Sequence, residues 1–169
     1  YELVNQLLDE YPKEIRIFSR NENNQVEMKR AFQFDPRLRF IIGDIKDERA
    51  VSQSFIDVDY VFHLAALKHV TVCEEQPYEA LKTNIIGTEN VIHAAIENKV
   101  KKVIYISTDK AANPTNFYGF TKSIGEKLAI HANLLSSHTT FVCIRAGNVL
   151  GSNGSVIHIF KKQIKDKEK

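Results

Sequence analysis

Tyr118 and Lys122 stand four residues apart in the run Asn116-Phe117-Tyr118-Gly119-Phe120-Thr121-Lys122. On a helix that spacing puts a phenol and an ammonium on one face. Alone the pair is also what an exposed helix surface shows. What gives it weight is the segment ahead of it, Val103-Ile104-Tyr105-Ile106, an uncharged β-branched and aromatic strand. It runs out into Ser107-Thr108-Asp109-Lys110, two hydroxyls, a carboxylate and an amine. A phenol placed there can exchange a proton with a hydroxyl, while a neighbouring ammonium lowers its pKa and can hold a ribose.

The rest of the chain must bring these groups together. Residues 1–10 carry Leu3, Val4, Leu7 and Leu8 at helical spacing, and Pro12 ends that helix. Residues 15–19 form a strand, 20–24 a polar loop and 25–32 a helix; 38–42 form a strand closed by Gly43-Asp44. Asp47 caps a helix through Phe55, and residues 59–66 form a strand ending in small residues. Pro77 opens a helix to Asn98, in which Gly87 costs about 1 kcal/mol against Ala, for which close contact with a neighbouring backbone is one reason. Residues 140–146 form the last strand, 147–155 a loop, and a helix starts near Val156. Apolar strands alternating with helices predict a doubly wound α/β fold, a parallel sheet covered on both faces in three layers. Ligands bind such sheets beyond the carboxyl ends of the strands, where residues 107–110 fall.

Composition excludes several classes. The chain has 169 residues, with 23 Lys plus Arg against 21 Asp plus Glu, a net charge of +2 that offers no footprint for nucleic acid. Lys161, Lys162, Lys165, Lys167 and Lys169 read as a solvated helix face rather than a polyanion site. Two cysteines make no disulfide framework and suit a reducing, cytoplasmic location. The six histidines match no zinc spacing, so no metal is expected. No apolar run reaches membrane-span length, and no signal peptide is present.

A nucleotide-binding domain of this type begins with a strand, a glycine-rich turn and a helix. Here a helix comes first and no G-x-G-x-x-G occurs. The expectation is a dinucleotide-binding domain over 1–169 that lacks its first strand and phosphate loop and is incomplete at both ends. In such domains an acidic residue after the second strand binds the ribose of NAD, whereas Arg accommodates the extra phosphate of NADP. Ser19 and Arg20 stand there, favouring NADP, with Glu22 the competing acid. Ala65 and Ala66 would let backbone approach the cofactor, although small residues are common at strand ends. Thr83 and Asn84, polar inside the long helix, face either the cofactor or water.

The run STDKAANPTNFYGFTK (107–122), with IFSRNE before it and RAGNVLGSNGSV after, closely resembles the extended short-chain dehydrogenase/reductases. Among these it resembles the UDP-N-acetylglucosamine 4,6-dehydratases of bacterial polysaccharide and flagellin-sugar synthesis. The likeness covers nearly the whole chain, and S-T-D-K-A is its most specific part. Relatives that epimerise carbon 4 usually carry serines at 109 and 110; Ala146 departs from the Tyr of many relatives. The resemblance implies Asp109 as the acid that protonates the departing hydroxyl of carbon 6 and Lys110 as the base at carbon 5. It also implies Thr108 and Tyr118 on the carbon-4 hydroxyl. Lys110 must be neutral to accept a proton, which a nearby Lys122, an oxidised nicotinamide and partial burial would each favour. Asp109 could instead be a turn carboxylate. Asp44 and Ile45 resemble adenine contacts or form a plain Gly-Asp turn. Lys68 resembles a residue bridging cofactor and substrate, or is a solvated lysine. Asn148 resembles a substrate contact, or belongs to a surface loop. The resemblance thus implies an NADP-dependent dehydratase of UDP-N-acetylglucosamine or a related UDP-sugar, a homo-oligomer in the full-length protein, with its substrate lobe mostly beyond residue 169. The alternatives are a UDP-sugar 4-epimerase and a non-catalytic dinucleotide-sensing module.

Overall fold

The alternation read from the sequence is the architecture of the chain. The computed structural model describes residues 1–147, 160–161 and 163–165; Asn148, the rest of its loop and the start of the helix near Val156 lie outside the described residues. Helix α1 spans Glu2–Asp9, strand β1 Ile15–Ser19, α2 Glu22–Ala31, β2 Leu38–Ile42, α3 Glu48–Ser54 and β3 Tyr60–His63. Next come α4 (Val70–Glu75), α5 (Pro77–Leu81), a π-helical turn (Lys82–Ile86) and α6 (Gly87–Glu97). The site-bearing part comes last, as β4 (Lys102–Thr108), a 3-10 turn (Asp109–Ala111), α7 (Phe117–Ala132) and β5 (Thr140–Ala146).

Every strand pairing is parallel, in two ladders, β1–β2 and β3–β4–β5. Alternation along β1 explains how helices come to cover both faces. Ile15 and Ile17, with Phe40 of β2, pack onto Val4 and Leu8 of α1 and Met28 of α2. Phe18 joins the other core, where Val51 of α3, Val91 of α6, Val103 and Tyr105 of β4, Ala129 of α7 and Phe141 of β5 meet. Val103 and Tyr105 are 2% and 1% exposed, and Val103 contributes about 1.5–3 kcal/mol by leaving water. Within each ladder the strands run one way, so His63, Thr108 and Ala146 end together at one edge of the three-stranded ladder, and Ser19 and Ile42 at one edge of the two-stranded one. Among the described residues no helix is long and apolar enough to cross a membrane.

Four local readings are corrected. Residues 20–24 are not all loop: α2 starts at Glu22, because the Asn21 side chain accepts from Asn24 N at 2.9 Å and caps it. The third strand stops at His63 and leaves 64–69 as a loop that feeds the unforeseen α4. The 77–98 helix is interrupted by the π-helical turn, a feature frequent at functional sites. Gly87, at its end, is required by a side chain rather than a backbone: a Cβ there would lie 2.6 Å from Ile45 Cδ1.

Candidate active site

Beyond Thr108, β4 turns at once into the 3-10 turn, and this places three reactive groups on consecutive residues. Thr108 Oγ1 donates to Asp109 Oδ1 at 2.8 Å, and Lys110 Nζ donates to the same oxygen at 3.1 Å. The Thr108 hydroxyl, then Lys110, hold the Asp109 carboxyl below the usual carboxylate range. Helix α7 begins over this turn because Asn116 Oδ1 accepts from Gly119 N at 2.8 Å, while Glu74 of α4 accepts from Phe117 N at 2.7 Å. Glu74 is a positioning residue that the sequence did not reveal, since its helix was not foreseen.

Gly119 sets how closely helix and turn approach. A Cβ there would sit 2.7 Å from the Lys110 carbonyl oxygen and 3.2 Å from Pro114 Cβ. Gly119→Ala is expected to push Tyr118 off the turn that carries Lys110. Thermal denaturation should read a loss of about 1–3 kcal/mol. Turnover should fall by about 10²-fold, the scale of a 1 Å misplacement.

Tyr118 is half-buried in the first turn of α7, and its neighbours in the field are Thr108, Lys110, Asp109 and Cys73. Burial raises the phenol pKa, against the pull of the Thr108 hydroxyl and the Lys110 ammonium. The expected lowering by Lys122 is therefore corrected. Lys122 is 3% exposed and its ammonium lies 4.0 Å from the centroid of the Tyr105 ring, a cation–π contact. Burial brings this ammonium down to about 8.

A buried polar chain fixes the helix that carries both residues. Asn84 Oδ1 accepts from Leu67 N at 2.8 Å, and its Nδ2 donates to Leu67 O at 3.0 Å and Thr121 Oγ1 at 3.0 Å. Thr121 Oγ1 in turn donates to Tyr118 O at 2.8 Å. Asn84 thus ties the 64–69 loop to the backbone of Tyr118, and both of its amide hydrogens are spent within the protein. Thr88 Oγ1 donates to Asn84 O at 2.7 Å, so the 2.9 Å contact from His63 makes the imidazole Nε2 the donor. Burial takes His63 down to about 3, so it stays neutral at physiological pH.

The cofactor candidates lie at the carboxyl ends of β1, β2 and β3 and in the π-helical turn. Gln25 of α2 donates to Ser19 Oγ at 2.9 Å and to Ile41 O at 2.9 Å, pinning the ends of β1 and β2; it too was missed, as a buried glutamine on a polar-looking helix. Exposed Arg20 lies 3.6 Å from Asp44, which also faces Lys46 at 3.7 Å. Asp44 has its turn role as well, accepting from Lys46 N at 2.9 Å. Ile45 is buried, with its carbonyl held by Asn90 Nδ2 at 2.9 Å. Ala65, Ala66 and exposed Lys68 occupy the loop after β3. Thr83 Oγ1 is buried without a hydrogen-bond partner among the described residues, the kind of donor a bound ligand satisfies. That orphan hydroxyl, the small-residue loop and the cation at 20 fit a dinucleotide. Two clefts of about 270 and 410 Å³, one beside α3 and α6 and the other at the end of α2, include none of these residues.

Over residues 1–169 the chain matches the family described as polysaccharide biosynthesis protein. The chain belongs to that family. As the 107–122 run implied, this places it among the extended short-chain dehydrogenase/reductases. This family member is 52% identical over 155 residues to the UDP-glucose 4-epimerase of Rickettsia canadensis, a match covering 90% of this chain and 45% of the relative. It is 48% identical over 163 residues to the UDP-N-acetylglucosamine 4,6-dehydratase (inverting) of Campylobacter jejuni, covering 95% and 48%. Among solved structures, Pen from Bacillus thuringiensis superimposes with a TM-score of 0.94 at 48% identity over 98% of this chain and 52% of that one. The chain spans about half the length of the relatives it matches.

Proposed function

We propose that the protein is an NADP-dependent sugar-nucleotide 4,6-dehydratase acting on UDP-N-acetylglucosamine, with 1–169 as its cofactor-binding part and the phosphate loop and substrate lobe outside it. The observation that carries this reading is the packing of the Thr108–Asp109–Lys110 turn under Tyr118. An epimerase needs a single acid/base at carbon 4; this turn adds a carboxylate and an amine, the pair that elimination of water needs.

Each residue has its share of the work. Ser19, Arg20, Asp44, Ile45, Ala65, Ala66, Lys68, Thr83, Tyr118 and Lys122 surround the dinucleotide; Asn84 holds the loop beside it. Bound there, NADP would supply the hydride acceptor for carbon 4 and the hydride donor for carbon 6. Tyr118, with Thr108, accepts the proton of the carbon-4 hydroxyl, and the resulting ketone acidifies the proton on carbon 5. Lys110 takes that proton, Asp109 gives one to the departing carbon-6 hydroxyl, water leaves, and Lys110 gives its proton back to carbon 5 when hydride reaches carbon 6. Lys68 and Asn148 contact the substrate.

The resting ion pair and the working pair hold the same number of protons. Lys110 as ammonium with Asp109 as carboxylate becomes amine with carboxylic acid when one proton moves across the 3.1 Å contact. Substrate covering a pair that is 38% and 56% exposed removes water from the charged form and favours that transfer.

Incubating the full-length protein with UDP-N-acetylglucosamine tests the reading. A 4-keto-6-deoxy product lighter by one water is expected; a product of unchanged mass inverted at carbon 4 would support the second reading, a 4-epimerase. That second reading is favoured by the 52% identity to a protein of that name. For the cofactor, Arg20→Ala is expected to weaken NADP about 10- to 100-fold by calorimetry, the loss of one charge-assisted phosphate contact, and to leave NAD affinity unchanged.

A further inference from the structure

Glu126 lies one helical turn beyond Lys122 on α7 and is 5% exposed. Arg145 of β5 grips it in a fork: Nε donates to Oε1 at 2.9 Å and Nη2 to Oε2 at 2.7 Å. Arg145 pairs with Ser107 across the β4–β5 ladder, one rung before Thr108↔Ala146. The ion pair therefore joins the inner face of α7 to the strand end just beneath the catalytic turn. Taking a carboxylate out of water adds little net stability even when it is paired, so its presence calls for a use.

That use is visible in what surrounds Lys122. From β3 it meets His63, neutral through burial. From β4 it meets the Tyr105 ring, whose buried phenol stays protonated. From β5 it meets Cys143, a thiol pushed up by burial, with Arg145 beyond. On α7 itself stand Tyr118 and Glu126. Asn84 of the π-helical turn and Thr88 of α6 are uncharged. Among the described residues around Lys122, Glu126 supplies the formal negative charge, and Arg145 keeps it ionised by hydrogen bonding first.

We propose that Glu126, fixed by Arg145, is a positioning residue that keeps Lys122 protonated on the inner face of α7, where it can hold the cofactor ribose. This rests on Lys122 being a cofactor residue. Burial works against the ammonium and Glu126 works for it, so removing the carboxylate tips a balance already close to neutral pH.

The test is NADP affinity of the full-length protein, measured by calorimetry between pH 6 and 10. In the wild type, affinity falls as Lys122 loses its proton. Glu126→Gln is expected to move that fall to lower pH by about one unit, the scale of losing a close opposite charge. Glu126→Asp, which keeps the charge, should restore the wild-type midpoint. Because Glu126→Gln could disturb packing, Arg145→Met gives an independent reading. It releases the carboxylate from the group that fixes it and keeps it ionised, and should shift the fall to lower pH, as Glu126→Gln does. A clamp that only supports the fold would weaken binding in both variants without moving the midpoint, and that result overturns the proposal. Lys122→Met separates the two layers. If affinity and its pH dependence survive in Lys122→Met, the reading of Lys122 falls and takes the inference with it. If they are lost there but unmoved in Glu126→Gln and Arg145→Met, only the positioning role is wrong.

Discussion

Replacing Lys110 by alanine is expected to abolish the proposed loss of water from UDP-N-acetylglucosamine while NADP still binds. The side chain is 38% exposed and pairs with the exposed Asp109 carboxylate, so its removal opens no core cavity. What disappears is the group that accepts the carbon-5 proton and the source of the proton Asp109 delivers. Each transfer is worth about 10²- to 10⁴-fold, and both run through this one amine. Mass analysis of the product reads the chemistry, and calorimetry with NADP reads the site. Full turnover in Lys110→Ala would sink the assignment. Loss of NADP binding would instead mean that Lys110 belongs to the cofactor pocket. In the same variant Asp109 loses one of the two partners that hold its carboxyl low, so its pKa should move back up, as carboxylate infrared bands would show.

Tyr118→Phe should lower kcat by about 10²- to 10⁴-fold with KM nearly unchanged, because the phenol acts on a proton in flight rather than on ground-state binding. Its pH signature comes from burial. A group whose pKa is raised is protonated at neutral pH, so oxidation at carbon 4, which needs the phenolate, should speed up as pH rises above neutrality. In Tyr118→Phe that rising limb disappears. A cofactor cation near the phenol would move the limb toward neutral pH, and comparing free with NADP-saturated protein measures that pull. Folding should be nearly untouched: losing one hydroxyl contact to Thr108 costs about 1 kcal/mol. An unchanged pH profile would mean that another group carries the proton.

The two-sided packing of β1 arises from Ile15, Ile17 and Phe18 alternating along one short strand, a pattern set by neighbouring residues alone. The same holds for the strand Lys102–Thr108 and for the i, i+4 placement of Tyr118 and Lys122 on α7. Periodicity is local, so one chain suffices to read it. The turn after Thr108 was legible as a cluster of polar types, though not its geometry. Helix α4 was not legible: six residues carry too little periodicity, and it is fixed by what it touches, Glu74 capping α7.

By itself the sequence determined the parallel α/β layout, the end of the sheet where reactive side chains collect, and which side chains those are, because strand polarity and side-chain period obey local covalent and hydrophobic rules. Only the tertiary structure decided how these groups act on each other. Asn84 turned inward through a π-helical turn to hold Leu67 and Thr121. Lys122 came to lie on the Tyr105 ring, and burial came to dominate the Tyr118 phenol. Glu126 met Arg145 from another strand. Burial and hydrogen bonding between residues distant in the chain set their charges, and distances of that kind exist only once the layers have packed.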